Sequence, residues 1–142
     1  MEGHCQCGTI RFTTPLPSPQ ALYICHCTEC RHQSSSTYGM TAVFPYFPLT
    51  GALSTYSRPN PNVVTKGFFC TNCGSRIYHL HIDKEGREAA DVAVKAGCLT
   101  GLGREMMRGA VHIWTKSAVV DIPEGVEAYE EEPPDGSFSG EK

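Results

Sequence analysis

Short apolar and β-branched runs recur along the chain, each bounded by turn-forming residues. Their alternation is clearest where Val92, Val94 and Ala96 fall on one face of an extended segment. Helical periodicity is weak and predicts only short helical turns over Thr28–His32 and Leu102–Met107. The pattern predicts a mainly β chain with strands over Thr9–Thr13, Ala21–Ile24, Thr41–Phe44, Leu53–Tyr56, Val63–Phe69, Arg76–Ile82, Ala90–Ala96 and Ala110–Thr115.

Composition narrows the class of protein further. The 142 residues fit a single domain, and Leu, Ile, Val and Phe together supply only 28 of them, so the apolar core is thin. The 14 glycines and 10 prolines indicate many turns. No apolar run approaches the roughly 18 residues that span a bilayer. Long helical bundles, coiled coils and transmembrane proteins are thereby excluded, and no membrane partner is predicted.

Charge divides the chain into a body and a tail. Residues 1–120 carry seven acids and eleven lysines or arginines, whereas eight acids face Lys142 alone from Asp121 onward. We therefore predict a folded domain over 1–122 and an acidic, flexible tail over 123–142. The mildly basic body suits a small anionic ligand. It lacks the dense Lys/Arg patch of a nucleic-acid-binding protein, so no nucleic-acid partner is predicted. The sequence does not indicate an oligomeric state.

Eight cysteines are the most informative feature. The first residues lack the basic and apolar regions of a secretory signal, which predicts a cytoplasmic protein whose thiols stay free or bind metal. Seven of the thiols form three close groups, and Cys98 stands alone. The groups are Cys5 with Cys7, then Cys25 with Cys27 and Cys30, and finally Cys70 with Cys73.

The spacing suits zinc, which takes four soft ligands in a tetrahedron. Each Cys pair supplies half of such a site, and two arrangements remain open at this point. Cys98 could complete the central triple, which would make two closed structural sites. Alternatively, Cys98 is a small buried thiol after a strand, and the triple keeps a free coordination position, as catalytic zinc does. The compact spacing of Cys25, Cys27 and Cys30 favours the second arrangement.

Five segments resemble the glutathione-dependent formaldehyde-activating enzyme family, also called the GFA or CENP-V domain family. They occur in the family's order and are Gly3–Gly8 with Ile10–Phe12, Cys25–Arg31, Phe69–Ser75, Ala96–Leu99 and His112–Ser117. The resemblance implies a zinc-binding β-tent fold of short antiparallel strands. It further implies a structural zinc on Cys5, Cys7, Cys70 and Cys73, a catalytic zinc on Cys25, Cys27 and Cys30, and carbon–sulfur lyase chemistry that joins glutathione to formaldehyde.

The leading hypothesis is therefore a lyase that uses two zinc ions, with a small thiol and a carbonyl compound as its reactants. Its alternative is a non-catalytic β-tent zinc module that binds proteins or acts as a chaperone, because a fold does not fix an activity. His26 and His32 flank the triple, and either could orient a ligand or carry a proton, although His26 is interpreted as a packing or solvent-facing residue. Arg31 is interpreted as a turn residue, with the alternative that it offsets the charge of the site or holds a substrate carboxylate. His79 and His81 are interpreted as ordinary strand residues.

Overall fold

The computed structural model describes residues 1–59 and 62–134. These contain β1 Glu2–His4, β2 Arg11–Thr13, β3 Ala21–Cys25, β4 Gly39–Pro45, β5 Leu53–Pro59, β6 Val63–Cys70, β7 Arg76–Asp83, β8 Asp91–Lys95 and β9 Val111–Ile113. Two short helices, α1 Thr28–Ser34 and α2 Arg104–Arg108, lie between strands. The prediction of a mainly β fold is confirmed, although β1 was not among the predicted strands. None of the helices in this part of the chain is long and apolar enough to cross a membrane.

The strands form two sheets of unequal size. β1 and β2 pair as an antiparallel hairpin, and the other seven form one sheet in the order β5-β6-β7-β8-β4-β3-β9. All neighbours in the large sheet are antiparallel except β3 and β9, which run parallel. The shortest pairing among the described strands of this sheet is between β7 and β8, where two residue pairs are formed, Tyr78–Val94 and His79–Ala93.

The two faces of the large sheet differ in chemistry because successive side chains of a strand point to opposite faces. Leu22 and Ile24 of β3 join the main core, as do Val92 and Val94 of β8. That core also contains Phe44, Leu80 and the fully buried Ile10. On the other face, Tyr23 and Cys25 pack with Ile113 in a smaller cluster. The apolar core is therefore one-sided, which leaves the second face available for polar groups.

Strand register shows which residues share that second face, called here the site face. Directly paired residues project together, and one row of pairs runs from Val43 through Ala93, His79 and Gly67 to Tyr56. A neighbouring row joins His81, Thr65 and Arg58, and a third joins Tyr23, Thr41 and Lys95. Histidines, basic residues and the first cysteine of the central triple thus lie on one surface.

Part of the acidic C-terminal segment is attached to the outer strand β9. The His112 N–H donates to the Glu127 carbonyl at 2.9 Å, and the Tyr129 N–H donates to the His112 carbonyl at 2.8 Å. Further along, the Trp114 N–H donates to the Glu131 carbonyl at 3.0 Å. Residues 127–131 therefore cover the edge of the sheet. Residues 135–142 of the predicted tail lie outside the described residues.

Close packing in the β1–β2 hairpin yields a stability prediction. A Cβ on Gly3 would lie 2.3 Å from the Phe12 ring, which is buried and stacks on Phe47. We expect Gly3→Ala to lower the free energy of unfolding by about 1–3 kcal/mol, because the ring must move within a packed core. Urea denaturation measures this loss.

Gly97→Ala provides the matched control, because no atom lies within 4 Å of a Cβ built there. It should change the free energy of unfolding by less than about 0.5 kcal/mol. Equal losses in the two variants would contradict the packing argument.

Candidate functional site

Four cysteines from two distant turns meet beside the β1–β2 hairpin. Cys5 and Cys7 belong to the hairpin loop, Cys70 ends β6, and Cys73 lies in the turn before β7. Their sulfur atoms all lie within 4.8 Å of one another. The Cys7 sulfur is 3.5 Å from that of Cys5 and 3.8 Å from that of Cys70. A zinc tetrahedron with Zn–S bonds of ~2.3 Å has an S–S edge of about 3.8 Å, so this cluster fits the ion closely.

The local backbone holds these four thiols in position. Gly74 has a positive φ of 75°, and its N–H donates to the Cys70 carbonyl at 2.8 Å, which closes the turn that presents Cys73. The Ile10 N–H lies 3.2 Å from the Cys5 sulfur and supplies a donor to a thiolate there. Both Cys5 and Cys70 are completely buried. A metal ion held by this cluster would therefore cross-link the hairpin to β6–β7.

Hydrogen bonds favour the ionised form of the outer thiols of this cluster. Contacts with the side chains of Thr9 and Asn72 lower the pKa of Cys7 to about 5. A contact with Ser75, whose Oγ lies 3.3 Å from the Cys73 sulfur, lowers the pKa of Cys73 to about 7. Both residues are consequently prepared to bind a cation at neutral pH.

The second cluster contains Cys25, Cys27 and Cys30, whose sulfurs also lie within 4.8 Å of one another. Cys25 ends β3, Cys27 caps the N-terminus of α1, and Cys30 lies in the first turn of that helix. The Cys30 N–H donates to the Cys27 sulfur at 3.3 Å, as in a helix cap. Among the described residues, the structure brings no fourth cysteine, histidine or acid to this cluster.

Gly39 makes room for this arrangement. It pairs directly with Cys25 across β3 and β4, and a Cβ at Gly39 would lie 3.0 Å from the Cys30 Cβ. A larger residue would press α1 away from the strand. The triple therefore depends on close approach of helix and sheet as well as on its own spacing.

The three thiols share their protons unequally. Hydrogen bonding from the Cys25 thiol, and then from Cys30, lowers the pKa of Cys27 far below its ordinary value. The same contact with Cys27 raises the pKa of Cys25. Cys27 is also the least buried of the three and faces the neighbouring cavity. It is thus the thiol of this cluster that ionises first.

A cavity of about 680 Å³ opens beside the triple on the site face. Its lining includes the three cysteines, two arginines, two histidines and three acids. These residues, with two aromatic ones, are Cys25, Cys27, Cys30, Glu29, Tyr56, Arg58, Arg76, His79, His81, Trp114, Glu131 and Glu132. A second cavity of about 610 Å³ shares Cys30, Gln33 and Arg76 with the first and also reaches Lys95 and Cys98.

His79 and His81 lie on β7, as the sequence indicated, but they also line this cavity. Their rings stack with centroids 5.1 Å apart. Burial, followed by the positive charge of Lys95, holds the pKa of His79 well below its usual range. His79 is therefore neutral at physiological pH. Sequence spacing placed the two rings on one face but did not show that this face borders the cysteine triple.

Trp114 forms part of the cavity wall in an unusual backbone conformation. Its φ of 57° lies in the left-handed region, which is unfavourable for a bulky residue. The hydrogen bond from its N–H to Glu131 and packing against the Cys25 cluster keep it there. Strain of this kind is common at functional sites, where the surrounding structure fixes it.

The other candidate residues lie outside the two clusters. His26 is fully buried, and its Nε2 lies 3.0 Å from Nδ1 of His112. Burial lowers the pKa of both imidazoles, so this pair stays neutral inside the fold. Cys98 has its sulfur 3.4 Å from the Arg76 carbonyl, and burial raises its pKa to about 11. Arg31 and His32 border a third, shallow cavity on the far side of α1.

Comparisons with known proteins identify the family of the chain. Residues 1–117 match the family model of GFA, the glutathione-dependent formaldehyde-activating enzymes. The fold is similar to the crystal structure of a Rhodobacter sphaeroides protein, a structural genomics target, with a TM-score of 0.55 and 20% identity over 79% of this chain and 99% of that chain. No curated protein matches the chain. Because the family match spans both cysteine clusters and most of the chain, this protein belongs to the glutathione-dependent formaldehyde-activating enzyme family.

Proposed function

We propose that the protein is a zinc-dependent lyase that makes or breaks carbon–sulfur bonds in thiol adducts. Glutathione is the proposed thiol, and formaldehyde or another small carbonyl compound is the proposed second reactant. One observation carries the proposal: the triple of Cys25, Cys27 and Cys30 borders a cavity and has no fourth ligand among the described residues. Four-coordinate zinc held there keeps one position for a substrate.

The two clusters suit different tasks. Cys5, Cys7, Cys70 and Cys73 supply a complete tetrahedron and fit a structural zinc ion. Cys25, Cys27 and Cys30 fit a catalytic ion, which would deprotonate a bound thiol or polarise a carbonyl oxygen. Cys27 is the first of these ligands to ionise, because the thiols of Cys25 and Cys30 donate hydrogen bonds to its sulfur.

Residues of the chain itself supply the remaining requirements of the reaction. Adding a thiolate to a carbonyl forms a carbon–sulfur bond, and the carbonyl oxygen gains a proton to become a hydroxyl. The reverse reaction removes that proton as the carbon–sulfur bond breaks. His79 borders the cavity as a neutral imidazole and can exchange hydrogen bonds with the reacting groups there. Trp114 forms part of the cavity wall, and its N–H donates to the Glu131 carbonyl of the attached C-terminal segment.

The proposed reactants agree with two cations that lie at the cavities. Arg76 lines both cavities and Lys95 lines the second, and these two charges favour an anionic thiol such as glutathione over a neutral one. Arg58 does not contribute, because it is paired with Glu29. A reducing compartment such as the cytoplasm would keep all seven ligand thiols available. We propose no nucleic-acid or membrane partner.

Metal content and stability should separate the two clusters. We expect about two zinc ions per chain, from the ligand count and tetrahedral geometry. Cys27→Ser should remove one of them and leave the fold intact, because Cys27 lies at the cavity. Cys70→Ser should unfold the protein, since it breaks the buried cross-link. Elemental analysis and circular dichroism measure the two effects.

Cys98→Ser is the matched control, since Cys98 belongs to neither cluster. It should keep both zinc ions and the native spectrum. Equal unfolding by Cys27→Ser and Cys70→Ser would contradict the division and indicate two structural sites.

The activity is tested by measuring, with nuclear magnetic resonance, the rate of exchange between glutathione, formaldehyde and their adduct. The same measurement is then made with other aldehydes. The zinc-loaded protein should accelerate the exchange for at least one carbonyl compound. Cys27→Ser should reduce that acceleration by about 10²-fold or more, because the open metal position is lost. Cys98→Ser should keep it.

Absence of acceleration for every carbonyl compound, from protein that holds two zinc ions, would contradict the proposal. That result would favour the alternative function, a non-catalytic zinc module that binds other proteins.

A further inference from the structure

Arg76 occupies the junction of the two cavities, beside the cysteine triple. It is the first residue of β7 and lines both cavities, as Cys30 and Gln33 also do. The register of β6 and β7 shifts between Phe68 and Phe69, so that Arg76 pairs with Phe69. Ile77 and Tyr78 are both buried in the main core as a result. The irregularity therefore directs Arg76 to the site face, as bulges beside functional sites commonly do.

Gly67 provides the space for the Arg76 side chain. It is buried in the middle of β6 and pairs with His79 on the site face. A Cβ at Gly67 would lie 1.4 Å from one terminal nitrogen of the Arg76 guanidinium. The guanidinium therefore lies across the strand at the one position where a side chain is missing. In this position it lines both cavities, with its Cζ 5.8 Å from the centre of the Phe69 ring.

Arg76 differs from Arg58, the other arginine of the first cavity, in its partners. Arg58 donates to Glu29 at 2.9 Å, which satisfies its charge within the protein. Among the described residues, Arg76 makes no ion pair and no side-chain hydrogen bond, and burial lowers its pKa. A guanidinium that is half removed from water without a carboxylate partner is suited to bind an anion from outside the chain.

Lys95 adds a second positive charge near Arg76, which also favours a bound anion. It faces the second cavity, and its Nζ is buried without a hydrogen-bond partner among the described residues. The positive charge of Arg76 is close enough to act against that of Lys95. Two like charges near each other in a partly dehydrated cavity are favourable only when a negative charge offsets them. The thiolates of the triple supply part of it, and the cavity beside Arg76 has room for more.

We propose that Arg76 binds a carboxylate of the thiol substrate and thereby fixes which thiols the enzyme accepts. The inference rests on the proposed function and adds a specificity-determining residue to it. The planar guanidinium suits two parallel hydrogen bonds to a carboxylate. The selected substrate is a thiol whose carboxylate lies at a distance from its sulfur, so that the sulfur reaches the triple while the carboxylate reaches Arg76.

This assignment can be tested independently of catalysis by comparing how wild type and variants bind a glutathione derivative whose sulfur is methylated. The probe is S-methylglutathione, together with two derivatives in which either the glycine or the glutamyl α-carboxylate is a carboxamide. Nuclear magnetic resonance titration of zinc-loaded protein gives the dissociation constants. Arg76→Met should weaken binding of the parent by about tenfold or more. One carboxamide should bind weakly to wild type and lose little further affinity in the variant.

Two further variants sharpen the test. Arg58→Met removes an arginine from the same cavity, but one already paired with Glu29, and should change the affinity by less than about twofold. Gly67→Ala fills the space beneath the guanidinium and should weaken binding as Arg76→Met does. Zinc content and thermal melting show whether each variant is folded, and Arg76→Lys, which keeps the charge, should give an intermediate affinity.

Several outcomes would overturn the assignment. One is an equal loss of affinity for S-methylglutathione in Arg76→Met and Arg58→Met. Another is that Arg76→Met weakens the binding of both carboxamides as much as it weakens the binding of the parent ligand. The absence of measurable binding to wild type, or the loss of zinc from Arg76→Met and Arg76→Lys alike, would do so too. If Arg76→Met and the loss of one carboxylate weaken binding non-additively but the protein shows no turnover, the proposed lyase activity is contradicted and the carboxylate site is supported.

Discussion

The tetrahedral spacing of four sulfurs is the constraint on which the rest of the structure depends. Cys5 and Cys7 lie near the start of the chain, and Cys70 and Cys73 lie more than sixty residues later, yet their sulfurs converge within 4.8 Å. Such a cluster fixes the β1–β2 hairpin against the turn between β6 and β7. It does so with four small side chains, which compensates for a thin apolar core.

The position of this cluster also determines where the site face lies. The turn containing Cys73 leads directly into β7, so its position sets the start of the strand and the register that follows. Arg76 and His79 then reach the site face, while Tyr78 and Leu80 enter the core. The four-cysteine cluster and the candidate catalytic cavity are thus parts of one arrangement, in which the first positions the strand that borders the second.

Much of this could be predicted from sequence because the signals were local. Alternating residues such as Val92 and Val94 identify a strand directly, and the spacing of Cys25, Cys27 and Cys30 identifies a cluster. The cavity could not be predicted in the same way. His79 and Arg58 are distant in sequence, and only the pairing of β5, β6 and β7 places them on one face. The register shift before Phe69 has no clear signature in the sequence, so the direction of Arg76 was not foreseen.

The C-terminal acids show what composition alone leaves out. It identifies an acidic segment, but it does not show where that segment lies on the folded domain. An acidic segment after a basic body is typical of a solvated tail, but β9 lies at the edge of the sheet, and in the described part of the chain its outer side faces no further strand. Residues 127–131 satisfy several of its backbone donors, and Glu131 and Glu132 join the lining of the cavity. Lys116, which follows β9, forms an ion pair with Glu131. The C-terminal segment is therefore held against the edge of the sheet by side chains as well as by its backbone, and this attachment brings its acids beside Trp114 at the cavity.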